Sequence, residues 1–309
     1  MKKINQTALP KISVWGGLFI VSIGWGTGGT AIRYLYNNGE APFTLIAVRT
    51  IIAALALIVF LAFWNPEIPK DPLTWKVGAV LGVSYLCAFS CFVAMLGHAS
   101  AGFAGLFGGL SPLTTAVWAA YIFRDQRLQK KTMMGLLLGG MGILVLALNN
   151  DSGLAIAGRP IIALGFGIIS VTLIGFGVAY SNRHAEAVDA AQLTAIQMSI
   201  SSVLSILLAY LIEGGSFSYS AGSWLAVAYL GIIATAMPFV LFLIILRQTM
   251  AIRASLVGYL IPVIAVTSGL LILDEKLQWG IIGGGALILM GLLIANRSEL
   301  HHENNLLGR

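Results

Sequence analysis

A succession of long apolar segments, separated by short polar connections, constrains this chain more than any other feature. Segments of about 18 to 25 residues match the length at which an α-helix crosses a hydrocarbon core of roughly 30 Å. Because lipid cannot satisfy backbone hydrogen bonds, such segments fold as helices. Ten are predicted, at residues 14–35, 43–64, 73–96, 100–123, 132–149, 160–181, 190–213, 222–246, 250–273 and 278–296.

The composition agrees with an all-α integral membrane protein. Hydrophobic residues make up 58% of the 309 residues and charged residues 10%, whereas a soluble domain has about 25% charged residues. The mean hydropathy is +0.90. The formal net charge of +6 comes from basic residues that stand singly in loops, so no nucleic-acid partner is expected. The expected surroundings are the lipid bilayer of the inner (cytoplasmic) membrane.

The N-terminus and the two cysteines were each considered for other roles. Lys2 and Lys3 precede an apolar run that could imitate a signal peptide, but the run is too long and lacks a clear cleavage site. We interpret it as the first membrane helix. Cys87 and Cys91 lie four residues apart on one helix, about 6 Å between Cβ atoms, which is too far for a disulfide.

The lysines and arginines predict the orientation of the bundle. If the N-terminus is cytoplasmic, most of the 18 basic residues fall on the cytoplasmic side, and only Arg33, Arg159 and Lys276 lie at outer ends. Cytoplasmic loops of membrane proteins carry an excess of Lys and Arg. With ten helices, both termini are then cytoplasmic. Residues 297–309 are predicted to form a polar cytoplasmic tail without regular structure.

The chain is duplicated. Two stretches about half a chain apart each contain a proline-bearing apolar helix, a short charged turn and a glycine-rich apolar helix. This spacing indicates a duplication rather than a solenoid with a shorter period. We predict two five-helix repeats, at residues 14–149 and 160–296. The matching pairs include Gly108 and Gly258, Leu110 and Leu260, Pro112 and Pro262, Asp125 and Asp274, Gly135 and Gly284, and Gly142 and Gly291.

Five helices per repeat is an odd number, so the second repeat is predicted to cross the membrane upside down relative to the first. The charges of the two matching turns agree: residues 124–131 hold four basic residues and would lie inside, whereas residues 274–276 hold one and would lie outside. Inverted repeats are typical of secondary transporters, whose substrate site lies near mid-membrane at the repeat interface.

Several motifs in both halves resemble the drug/metabolite transporter superfamily, specifically its EamA-type ten-helix members. The first helix carries Trp25-Gly26-Thr27, which is similar to the family's Trp-Gly-small signature. Basic residues follow where the family has them, with Arg33 near the end of that helix and Arg49 early in the second.

The resemblance continues through the fourth and ninth helices and spans residues 14–296. Residues 100–112 are similar to the family's fourth helix, residues 254–262 repeat them, and residues 273–277 are similar to its Leu-Gly-Glu-x-Leu turn. One departure is that Gln126 stands in the first repeat where Glu275 stands in the second. The resemblance implies ten helices, a central cavity and export or facilitated passage of small metabolites.

Arg49 is the one charged residue well inside a predicted span. Such residues are costly in a bilayer and are candidates for function by default. One hypothesis makes Arg49 an anchor for a substrate carboxylate or phosphate. The other, which we favour from sequence, makes it a structural arginine that snorkels outward or binds helix-end carbonyls.

Three prolines are expected to act as hinges. Proline removes the hydrogen bond to the carbonyl four residues earlier and kinks a helix. Pro112 and Pro262 would free the carbonyls of Gly108 and Gly258, either to line a central site with Ser111 or simply to shape the bundle. Pro238 would free the carbonyl of Ala234 in the eighth helix.

Aromatic side chains inside the spans are candidates for the lining of a substrate site. Tyr85 and Phe89 share a helix face, a pattern that is more often bundle core than a binding platform. The tyrosines are expected to point inward because a hydroxyl in hydrocarbon needs a partner. The candidate substrate-binding residues are Trp25, Arg49, Tyr85, Phe89, Gly108, Ser111, Phe239, Gly258 and Tyr259.

Glycine spacing indicates close helix packing. Small residues four apart allow membrane helices to approach closely, and Gly135 and Gly280 each begin such a pair. We expect these glycines to form faces within the bundle or, less often, a dimer surface. The predicted assembly is a monomer or a homodimer.

The sequence offers no chemistry for catalysis. It has no nucleotide-binding loop, no nucleophile elbow and no cluster of metal ligands, so no cofactor and no metal is expected. We predict a carrier for small amphipathic metabolites, with neutral or aromatic amino acids as the first candidates. The alternatives are an exporter of hydrophobic drugs or other metabolites and, in a different class, a lipid-modifying membrane enzyme. Because no acid lies deep in a span, transport is expected to run down the substrate's own gradient.

Overall fold

The structure is a computed structural model that describes residues 13–64, 68–124, 130–148, 159–184, 187–215, 219–248 and 257–306. All regular secondary structure in these ranges is helical, as predicted. The first half of the chain contains α1 (Val14–Asn37), α2 (Pro42–Trp64), α3 (Pro72–Leu96), α4 (Ala101–Gly108), α5 (Ser111–Val117), a π-helical turn (Trp118–Ile122) and α6 (Lys130–Leu148).

The second half begins after a stretch, 149–158, that lies outside the described residues. Its last helix runs to Leu306, past the predicted end at residue 296, so the first part of the predicted tail is helical. The elements are α7 (Pro160–Arg183), α8 (Ala190–Glu213), α9 (Ala221–Gly231), a π-helical turn (Ile232–Ala236), α10 (Met237–Gln248), α11 (Val257–Ile272) and α12 (Trp279–Leu306).

Within the described ranges, seven helical stretches are long and apolar enough to cross a membrane, and two more apolar helices are shorter. One of the seven, Ala101–Ile122, joins α4, α5 and the first π-helical turn; another, Ala221–Phe242, joins α9, the second π-helical turn and the start of α10. The shorter pair, Val257–Ile272 and Trp279–Ala295, lies in α11 and α12.

Helices from the two halves pack against each other throughout the bundle. The largest contacts join α6 to α12, α2 to α8, α3 to α7, α3 to α8, α1 to α11, and α4 to α11. An internal twofold axis would exchange the helices within the α2–α8, α6–α12 and α4–α11 pairs. It would also convert the α1–α11 contact into the observed α7–α5 contact. The packing is therefore that of two equivalent repeats.

Glycines set the distance between α6 and α12. A Cβ atom on Gly135 would lie 2.6 Å from the carbonyl oxygen of Gly291, and one on Gly142 would lie 2.7 Å from that of Gly284. Backbones can approach this closely only where side chains are absent. The face of Gly135 therefore lies within the bundle, between the two halves, and not on a free surface.

Candidate functional site

Arg49 is the buried charge around which the candidate site is built. Its side chain is only 5% exposed. Nε donates to Thr235 Oγ1 at 2.7 Å, and Nη2 lies 3.5 Å from the carbonyl oxygen of Ala234. The guanidinium carbon stands 3.8 Å from the centre of the Phe89 ring, in range of a cation–π interaction.

The helix formed by α9, the π-helical turn and α10, which is the predicted eighth membrane helix, explains why Arg49 finds a free carbonyl at Ala234. Pro238 has no N–H, so it cannot bond to Ala234 four residues earlier. The chain widens into the π-helical turn, in which the N–H of Met237 bonds to Ile232, five residues earlier. Such turns are frequent at functional sites. The carbonyl that Pro238 was predicted to free is thus the one facing Arg49.

One nitrogen of Arg49 remains without a partner. Nη1 is buried and makes no hydrogen bond in the structure, and no carboxylate within the described ranges pairs with this guanidinium. Two of its three nitrogens contact the π-helical turn between α9 and α10. The third leaves one donor available to a ligand. A buried donor without a partner is unfavourable, so an anionic ligand at this nitrogen would supply the missing hydrogen bond.

An aromatic wall on α3 adjoins Arg49. The rings of Phe89 and Tyr85 stack with centroids 5.6 Å apart and an interplanar angle of 3°. Phe92 continues the stack, 5.9 Å from Phe89. The three rings therefore form a continuous stack, and the middle ring, Phe89, covers the guanidinium.

Trp25 of α1 and Phe239 of α10 complete this part of the site. Their ring centroids are 5.5 Å apart in an edge-to-face arrangement. Phe239 packs against the same hydrophobic cluster as Tyr85. Of the predicted substrate-binding residues, the structure thus brings together Trp25, Arg49, Tyr85, Phe89 and Phe239.

The remaining predicted residues lie around the two prolines of the duplicated stretch. A Cβ atom on Gly108 would meet nothing within 4 Å, and one on Gly258 would lie 3.7 Å from Pro112 Cγ. Ser111 is half-buried, and its carbonyl accepts from Thr114. Tyr259 faces away from this space, because its hydroxyl donates to the carbonyl of Leu292 at 2.9 Å.

The two prolines of the duplicated stretch differ in their helical surroundings. Pro262 lies inside the continuous helix α11, as expected. Pro112 stands in the first turn of α5, after a two-residue turn at Gly109 and Leu110 whose φ and ψ stay in the right-handed helical region. The helix of the first repeat is thus interrupted just before its proline, where the N–H of Pro112 is missing, whereas α11 is continuous.

Sequence reasoning missed several polar contacts that join the halves. Thr27 and Tyr229 hydroxyls lie 2.6 Å apart, and Thr30 and Ser268 hydroxyls 2.7 Å apart. Hydroxyls inside apolar runs are ordinary in sequence and usually bond to their own helix, so no local signal distinguished these. Within the described ranges, no group of three or more metal-ligating side chains occurs.

The comparisons with known proteins agree with this architecture. The model of the EamA-like transporter family matches residues 14–148 and 161–297. The chain belongs to this family of the drug/metabolite transporter superfamily, whose members are transporters and not enzymes. It is therefore a membrane transporter, and the lipid-modifying alternative falls away.

Relatives carry names that describe transport. The chain is 26% identical over 291 residues to a probable amino-acid metabolite efflux pump of Escherichia coli strain K12, covering 89% of this chain and 92% of the relative. It is also 26% identical over 280 residues to the uncharacterized inner membrane transporter YedA of that organism, covering 88% of each. The inner membrane is accordingly the location of the chain. A crystal structure at 20% identity, with a TM-score of 0.67, covers 91% of this chain and 96% of its own, and it supports the fold alone.

Proposed function

We propose that this protein exports small amphipathic metabolites, with neutral or aromatic amino acids as the first candidates, by alternating access between its two repeats. The observation that carries the proposal is the buried guanidinium of Arg49 beside the aromatic wall of α3, between helices of both repeats. Nη1 offers a donor to a carboxylate, and the rings of Phe89 and Tyr85 offer an apolar surface to a side chain. The name of the Escherichia coli relative supports the same substrate class.

The proposed topology has ten membrane helices and two cytoplasmic termini. Each of the seven long stretches, among them α4–α5 and α9–α10, counts as one crossing. The other three crossings are α1, α11 and α12. Reporter fusions at the C-terminus should report a cytoplasmic location, and fusions at residues 155 and 276 an outer one. An outer C-terminus would contradict the inverted arrangement.

A panel of labelled substrates tests the substrate class. In membrane vesicles that contain the protein, labelled phenylalanine, tyrosine, leucine and valine are expected to be transported faster than in vesicles without it. Transport of hydrophobic cations alone, with no amino acid moved, would favour the drug-exporter alternative.

The role of Arg49 can be separated into binding and structure. If Nη1 anchors a carboxylate, Arg49→Gln should weaken transport of an amino acid while sparing its amide. If Arg49 serves only to stabilise the π-helical turn between α9 and α10, the same change should lower thermal stability and affect transport of acid and amide alike. Thr235→Val is a matched control, because it removes the acceptor of Nε and leaves the guanidinium charge in place.

A further inference from the structure

Two glutamates of the second repeat bind the N-termini of helices in the first repeat. Glu213, the last residue of α8, accepts from the backbone N–H of Phe43 at 2.8 Å and of Thr44 at 2.7 Å, and from the Thr44 hydroxyl at 2.8 Å. Pro42, the first residue of α2, has no N–H to satisfy. The carboxylate of Glu213 thereby completes the cap of α2.

Glu275 does the same for α4. Its Oε1 accepts from the N–H of Ala101 at 2.7 Å and its Oε2 from that of Gly102 at 3.2 Å. Ser100 caps the third N–H of this turn. A Cβ atom on Gly269 would overlap the carboxylate, so a glycine at this position makes room for it. Carboxylates at helix N-termini are stabilised by charge-assisted hydrogen bonds and by the helix dipole.

Three helix N-termini at the opposite end of the bundle are capped locally, and Ser220 caps α9 locally at the same end as the two glutamates. Ser13 caps α1, Asp71 caps α3 and Asp189 caps α8, each from the residue that precedes its own helix. Local caps move with their helices, whereas the two glutamates join one repeat to the other. The bonds of Glu213 and Glu275 therefore resist a separation of the repeats at their own end.

We propose that Glu213 and Glu275 are gating residues, which hold this end of the bundle closed and release the N-termini of α2 and α4 when it opens. The inference rests on the alternating access proposed above. Release is feasible here because water can replace both carboxylates once the end is open. In the proposed topology this is the outer end. The hydroxyl pair of Thr30 and Ser268 lies directly inside the gate and is buried.

Several charged and titratable groups surround the gate. Tyr36, Glu40 and Tyr219 lie near Glu213, and Arg33 lies near Tyr36. Burial, together with the carboxylates of Glu40 and Glu213, raises the pKa of the Tyr219 hydroxyl. Tyr219 is therefore neutral at working pH and adds no charge. Asp274 and Lys276 flank Glu275 in the chain and are both exposed.

The gate can be tested by the accessibility of a cysteine placed behind it. In a background with Cys87→Ala and Cys91→Ala, Ser268→Cys supplies a buried reporter, and a membrane-impermeant maleimide is added to intact cells. Glu275→Gln and Glu213→Gln should each raise the labelling rate by about tenfold or more, the size expected for a lost charge-assisted hydrogen bond. Asp274→Asn is the matched control and should change the rate by less than about twofold, because Asn tolerates the left-handed φ of 51° at this position.

A second reporter separates gating from general loosening. Ala179→Cys places a buried thiol near Arg183, at the end of α7 that lies away from the gate. Its labelling rate should not change in the glutamate variants. An unchanged rate at Ser268→Cys, or an equal rise at both reporters, would overturn the gate. Because labelling needs no substrate, a mistaken substrate class would leave this result intact.

Discussion

The two copies of the duplicated stretch differ in how they pass their central proline. In the first repeat the helix is interrupted at Gly109 and Leu110. Its two parts take different partners: α4 packs on α11, whereas α5 packs on α7. In the second repeat α11 continues as one helix through Pro262. A shared proline therefore does not determine whether a helix kinks or breaks.

The residue that precedes the matching leucines, Leu110 and Leu260, accounts for why one helix is interrupted and the other is continuous. Gly109 of the first repeat corresponds to Tyr259 of the second. Glycine is unfavourable inside a helix by about 1 kcal/mol relative to alanine, while Tyr259 is tied to α12 by its bond to Leu292. Gly109 also allows close contact, since a Cβ atom there would lie 3.0 Å from Pro262 Cγ. The break in one copy thus makes space for the proline of the other.

The largest expected effect comes from filling the contact between α4 and α11. Gly105 lies against Ala265 so closely that a Cβ atom would overlap it. Overpacking of a tight contact costs about 3 kcal/mol or more in severe cases, so Gly105→Leu should yield little folded protein in size-exclusion chromatography. Gly108→Leu, three residues away and facing open space, should fold normally. Equal folding of both variants would contradict the described contact.

Next in size is a loss of transport without a loss of folding. Gly258→Leu places a large side chain against Pro112, and Gly108→Leu places one in the open space beside Gly108. We expect transport to fall to near background while the melting temperature stays within a few degrees of wild type, because neither Cβ atom would clash. Normal transport by both variants would mean that these glycines face lipid.

Tyr259 tests why the second copy stays continuous. Tyr259→Gly removes a hydrogen bond, helix propensity and part of the packed ring, and should lower the free energy of unfolding by about 3 kcal/mol. Tyr259→Phe removes only the bond to Leu292 and should cost about 1 kcal/mol. Denaturation of the two purified variants measures both values, and equal costs would show that the hydroxyl alone anchors the helix.

The smallest expected effect concerns the link between α5 and α7. The hydroxyl of Thr114 donates to the carbonyl of Val171 at 2.8 Å, whereas that of Thr115 donates only to Ser111 in its own helix. Thr114→Val should therefore cost about 1 kcal/mol, and Thr115→Val close to nothing. A larger cost for Thr115→Val would place the contact of α5 elsewhere.

The sequence could predict the helices and the family because both depend on long, repeated patterns. The apolar runs located the helical segments, and Pro238 identified Ala234 as a free acceptor, the carbonyl that Arg49 approaches. The roles of Glu213 and Glu275 were not predictable in this way. Each is one acid at a helix end, and its partner N–H groups are far away in the chain, so only the fold brings them together. The turn at residues 125–129, including Gln126, lies outside the described residues.

Solute counterflow tests the central claim, that the two repeats carry amino acids by alternating access. Purified protein is placed in liposomes loaded with unlabelled phenylalanine, and labelled phenylalanine is added outside with no pH gradient. The account predicts transient accumulation of label inside, faster than in protein-free liposomes and abolished by Gly258→Leu. If wild-type protein gives no counterflow with phenylalanine, tyrosine, leucine or valine, the amino-acid assignment is wrong. If accumulation requires an imposed pH gradient and vanishes in Glu275→Gln, transport is coupled to protons at Glu275 and is not passive.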